Sequence, residues 1–199
     1  MFAFTRTACP GHLTGCWEEL GLSYETAKAE DPAFKFQWTA SFRYKDTRRL
    51  LSEMTHGHCA FCDGGDLGAM SCETIEHFRP KSRPEFRRFA YQWENLYPCC
   101  DQCQSQKLEK FDEKLLVADE IGYCFDDYFI VDYATGELQV NPLSTVQKQL
   151  RAEVTLELYG LNIEIRKQCR KKELRRFQRR DPDVEVIDDF SYRYFLMDA

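Results

Sequence analysis

The chain has 199 residues, 43% of them hydrophobic and 14% aromatic, which is enough for one well-cored domain and argues against a disordered chain. Its net charge of −6 gives no bulk electrostatic attraction to nucleic acid, and no run approaches the roughly 20 apolar residues of a membrane span. The start, "MFAFTRTACPGH", lacks the basic and apolar regions of a secretory signal, so a cytoplasmic location is expected.

From Thr26 to Met54 the pattern reads as mostly helical. "FRYKDTRRLLSEMT" places Tyr44, Leu50, Leu51 and Met54 in an amphipathic stripe, and Gly57 stops it. A compact segment rich in Cys, His and turn residues follows. Within it "ETIEHFRPKS", residues 73–82, reads as a strand through Thr74, Ile75 and Phe78 that Pro80 ends. "YFIVDYATGELQV" reads as a hairpin about a Thr-Gly turn. Two helices are expected at about 144–158 and 163–179, separated by Gly160 and closed by Asp181-Pro182. The expected organisation is one compact unit: a helical flank over 1–55, a core module over 56–112, and a hairpin plus helices over 113–199.

Charge is segregated along the chain. Residues 79–88, "RPKSRPEFRR", carry five basic residues against one acidic, and 166–180, "RKQCRKKELRRFQRR", carry nine against one. Such runs make either a local basic surface or an ordinary solvated helix face.

Ten cysteines are many for a reducing compartment and suggest metal ligation more than disulfides. Cys59 and Cys62 form "CAFC", and Cys100 and Cys103 form "CDQC". Two C-x-x-C knuckles have the spacing of a tetrahedral four-cysteine zinc site, each presenting two thiolates to one ion. The 37 residues between them require an intervening substructure, which the zinc would staple. Cys99, His56 and His58 lie close enough in sequence to be alternative ligands, and isolated C-x-x-C pairs also serve redox chemistry. Cys9, Cys16, Cys124 and Cys169 read as small buried hydrophobes, and Trp38 and Trp93 as core. A zinc with four thiolates is saturated, so any catalysis needs another constellation.

That constellation lies between and after the knuckles, in "IEHFRPKS", "WENLYPCC" and "CDQCQSQK". Here the chain resembles the zinc-bearing branch of the HNH (ββα-metal) endonucleases. In that branch an acidic-His pair follows the first knuckle, and an Asn-Leu pair precedes a second knuckle running on into C-x2-C-[H/N]-x2-K. "EHFRPKS" with downstream "WENL", and more weakly "TGEL" and "ELYGLN", look like the HNH nucleases of retron-associated and Septu-type anti-phage systems.

The resemblance implies an α+β fold with a ββα-metal HNH core, stapled by the four-cysteine zinc site and flanked by helices and a small β-hairpin. It implies His77 as general base, Glu76 and Gln104 as ligands of a catalytic Mg²⁺ or Mn²⁺, and Asn95 as the residue that pins the connecting loop. Arg79, Lys81 and Lys107 become candidate DNA-phosphate contacts. Gln104 departs from the usual His or Asn, offering a neutral amide on a longer stem, and Asp101 or Glu109 would then assist. The implied function is metal-dependent hydrolysis of DNA phosphodiester bonds, as effector subunit of a defence complex with an ATPase partner. A free-standing restriction nuclease, a non-catalytic zinc-stapled DNA-binding or interaction module, and a thiol-redox protein are the competing readings. Consecutive strand residues face opposite ways, so Glu76 and His77 share one site only if the strand ends or twists there.

Overall fold

A computed structural model of the chain describes residues 1–197. After a short turn, α1 (Gly11–Thr14), helix α2 spans Trp17–Glu30. Glu18 and Glu19 lie in its first turn and Lys28 in its last, each favoured by the helix dipole. It stops before Asp31-Pro32, because proline bars the α conformation of the residue preceding it. Helix α3 spans Tyr44–Met54 and buries Thr47, Leu51 and Met54 on one face. The expected continuous helix over 26–54 is therefore two helices, with residues 31–43 free of helix between them.

Strand β1 (Glu73–His77) pairs antiparallel with β2 (Leu96–Cys100), with Glu76 opposite Tyr97 and His77 opposite Leu96. Helix α4 (Asp101–Lys107) follows β2 directly, so strand, strand and helix are consecutive elements around one long excursion. Every residue of β2 is buried, as in strands covered on both faces. Ile75 and Leu96 join a core with Leu13, Phe42, Leu51 and Trp93. Tyr97 and Cys99 join the other core, with Phe61, Phe129, Tyr159 and Phe195.

Strands β3 (Phe129–Asp132) and β4 (Glu137–Val140) form the second hairpin. Gly136 turns it at φ +79°, where an added Cβ would also strike the Lys167 carbonyl. Helices α5 (Val146–Leu158) and α6 (Glu164–Phe177) complete the chain order; Thr145 caps α5 by accepting from the Lys148 N–H. The basic run on α6 is only partly a surface. Arg166 and Arg170 are buried, and Arg170 donates to the carbonyls of Gly136 and Leu161 and to Asn162 Oδ1. The architecture is thus mixed α+β with two small antiparallel hairpins. Among the described residues, no helix is long and apolar enough to cross a membrane.

Candidate functional site

The two knuckles meet. The sulfurs of Cys59, Cys62, Cys100 and Cys103 lie within 4.8 Å of one another, all buried. The first knuckle docks on β2 through the Ala60 N–H, which donates to the Pro98 carbonyl at 2.9 Å. The second is the start of α4, where Cys100 caps the helix by accepting from the Cys103 N–H at 3.4 Å. Helix N-termini favour thiolate over thiol. Burial alone would raise the Cys59 thiol, yet hydrogen bonds from Cys100 and Cys103 carry it well below its usual range.

The donor set fits a soft divalent ion such as zinc. Four thiolates around such an ion leave a double negative charge, and Arg166 offsets half of it, donating to Cys103 Sγ at 3.0 Å. Cys99 turns away, its thiol donating to the Cys100 carbonyl. His58 is held by the carbonyls of Thr55, His56 and Phe190. Outside the cluster, the expected burial is not met: Cys124 is exposed, and Cys9, Cys16 and Cys169 are half-buried.

Beside the hairpin a cleft of about 520 Å³ is lined by Glu76, His77, Lys81 and Gln104 together with residues of α2 and the 31–43 segment. The alternation problem is resolved because β1 ends at His77, so both adjacent residues reach the same cleft. His77 Nε2 lies 2.9 Å from the Ala90 carbonyl. A carbonyl has no proton to give, so Nε2 carries the hydrogen and Nδ1 keeps its lone pair. Lys81 Nζ stands 3.4 Å from Nδ1. Burial, reinforced by that ammonium and opposed by the Ala90 bond, holds the imidazole well below its usual pKa. Trp38 stacks on the ring at 5.3 Å and 9°, and Phe36 meets it edge-on at 5.3 Å.

Asn95 closes the excursion between the strands. Its Oδ1 accepts from the Arg79 N–H at 2.7 Å, and its amide donates to the carbonyls of Arg79 and Phe89. Phe89 precedes Ala90, so the same side chain that closes the loop also places the carbonyl holding His77. Replacing Asn95 with Ala should cost about 1–3 kcal/mol, the desolvation of buried groups left unpaired, read as a lower urea midpoint.

Lys107 is not at a surface a phosphate can reach, which corrects its expected role. Fully buried, its ammonium bridges Glu76 Oε1 at 2.7 Å and the His77 carbonyl at 2.9 Å. Burial raises the Glu76 carboxyl above its usual range, with Lys107 pulling the other way. Lys107→Met should destabilise the protein by about 3–5 kcal/mol, because it strands a buried carboxylate; Lys107→Met/Glu76→Gln should recover part of that loss in the same denaturation measurement.

Arg79 is also outside the cleft lining, its guanidinium 5.7 Å from the Phe89 ring centre. Lys81 lines the cleft, with its ammonium beside His77 Nδ1. Asp101 lies away from the cleft, its Oδ1 engaged by Ser71 and the Gln102 N–H, whereas Glu109 lines it. Glu76 and Gln104 thus line one cavity, and the Gln104 side chain helps to favour the ionised Glu76 carboxylate; a carboxylate and an amide are residue types that can offer Mg²⁺ hard oxygen donors.

Sequence reasoning missed Phe34 and Phe36 as aromatic lining of the cleft, although their spacing of two, continued by Trp38, was a strand-like signal. No known protein family and no curated protein matches this chain.

Proposed function

We propose that this protein is a metal-dependent nuclease of the HNH type, with His77 as general base. The observation that carries this reading is the state of His77. It is buried, neutral and locked through Nε2, with a lone pair at Nδ1 in a lysine-bearing cleft beside a carboxylate and an amide. The succession of β1, β2 and α4 around the cysteine cluster supports a ββα-metal core.

In the proposed reaction, Nδ1 takes a proton from water as its oxygen attacks the phosphorus, and the P–O bond to the leaving oxygen breaks. An imidazole of low pKa is neutral but a weak base. A phosphate entering beside Lys81 offsets that lysine's charge, raising the basicity of His77 when substrate is in place. Glu76 and Gln104 would hold a divalent cation, which would supply charge stabilisation at the phosphate and leaving oxygen. Lys107 holds Glu76 in position and, through the His77 carbonyl, fixes the end of β1.

The test is incubation of purified protein with DNA and Mg²⁺ or Mn²⁺, alone and with the ATPase encoded beside it, if its gene neighbourhood holds one. Cleavage that needs the metal is the expected result. Stimulation by the ATPase supports the defence-complex assignment, and full activity without it favours a free-standing nuclease.

A second reading rests on one observation. Lys107 already neutralises Glu76, and Gln104 adds no charge, so the cleft has little anionic pull on a cation. A non-catalytic zinc-stapled binding module would therefore bind nucleic acid and cut it under no metal or partner condition.

A further inference from the structure

Two large apolar side chains remain exposed in the same cleft as His77. Phe34, 38% exposed, comes from the 31–43 segment, and Leu108, 63% exposed, directly follows α4. Ser82 also lines this cleft, and its hydroxyl is buried without a hydrogen-bond partner. Lys28, Lys35 and Lys81 add positive charge, and Glu109 adds a negative one. An apolar pair, an orphaned hydroxyl and three ammonium groups around one cavity match the chemistry of a nucleotide: flat base, polar base edge, anionic phosphate.

We infer that this cleft takes an unpaired nucleotide next to the scissile phosphate, so that the substrate is a single-stranded or locally unpaired polynucleotide. The inference rests on the nuclease reading for the position of the scissile bond. The base lies between Phe34 and Leu108, Ser82 bonds its edge, and Lys35 and Lys81 face the phosphates. Base faces inside a duplex are covered by their neighbours, and only an unpaired base offers a face to an aromatic ring. Phe34 is well supported for this role. Its ring lies 6.4 Å from Tyr24, Tyr24 meets Phe36 edge-on at 5.2 Å, and Phe36 packs on His77. Gly21 allows α2, which carries Tyr24, to lie against the 84–89 turn, since an added Cβ there would collide with the Arg88 carbonyl.

The experiment uses the full chain carrying His77→Ala, so that binding is measured without cleavage. Fluorescence anisotropy follows a labelled oligodeoxyuridylate, the matching oligouridylate, and a blunt DNA duplex at one salt concentration. Tighter binding of either single strand than of duplex, by about tenfold or more, is expected, and the tighter of the two identifies the preferred sugar. Adding Phe34→Ala should weaken single-strand binding about tenfold and leave duplex binding unchanged, while Phe34→Tyr should retain it. Equal affinity for duplex and single strands, or a Phe34→Ala change without effect, overturns the inference. Failure of the nuclease reading looks different: the parent protein cuts nothing, while the strand preference and its dependence on Phe34 persist.

Discussion

His77→Ala protein is expected to lose nucleic-acid cleavage by on the order of a hundredfold to ten-thousandfold, the usual weight of a positioned general base. Its zinc content should stay at that of the parent. The variant removes the bond to the Ala90 carbonyl and the stack on Trp38, so some fall in unfolding midpoint is also expected. Circular dichroism and metal analysis separate that fall from loss of fold. Cleavage at the parent's rate by folded, zinc-loaded variant would end the mechanism. Lys81→Met is an informative companion. It removes the ammonium that faces Nδ1 but leaves the imidazole in place, so it should weaken substrate binding more than it alters the fold.

Withdrawing the metal should have the larger effect on stability. The four cysteines sit in the interior of the core that also holds Phe61, Tyr159 and Phe195, and Arg166 is buried against them. Without a cation that set becomes four crowded sulfurs that no ion holds together, packed beside a buried arginine. Chelation, or Cys103→Ser, should cost several kcal/mol, a large share of the about 5–15 kcal/mol that holds a domain together. The loss should show as a lower thermal midpoint and weakened near-ultraviolet dichroism. Acid should release the metal too, because the ligands must be deprotonated to bind it. A preparation with no tightly bound metal and a reversible Cys59–Cys62 disulfide would instead favour the thiol-redox reading.

The knuckles were legible in the sequence because a metal dictates ligand type and spacing. The second hairpin and the helices at 146–158 and 164–177 were also legible, since periodicity and turn residues agreed there. Residues 31–43 were not. A helical reading ran through Pro32, whereas Phe34, Phe36 and Trp38 recur every second residue. Lys107 was misplaced for a different reason. It lies four residues after Cys103, on the same face of α4, and both side chains are buried. Arg166 and Arg170 stand in the same relation on α6. Periodicity counts apolar residues, so a cation that follows the buried face is taken for surface. Trp38 read correctly as a packing residue, but nothing local indicated that its partner is His77, which is far away in sequence.

The segment around residues 190–194 closes over the first knuckle. Asp63 receives the Arg193 guanidinium at 2.6 Å and its N–H at 2.6 Å, Tyr194 donates to the Cys62 carbonyl, and the Phe190 carbonyl binds His58. These partners are separated by about 130 positions in the chain. A ribosome therefore finishes the first hairpin and both cysteine pairs well before it supplies the residues that lock them. Until that late segment emerges, the nascent protein has its ligands but not the clasp around them. Synthesis order thus places closure of the first knuckle after both cysteine pairs are made.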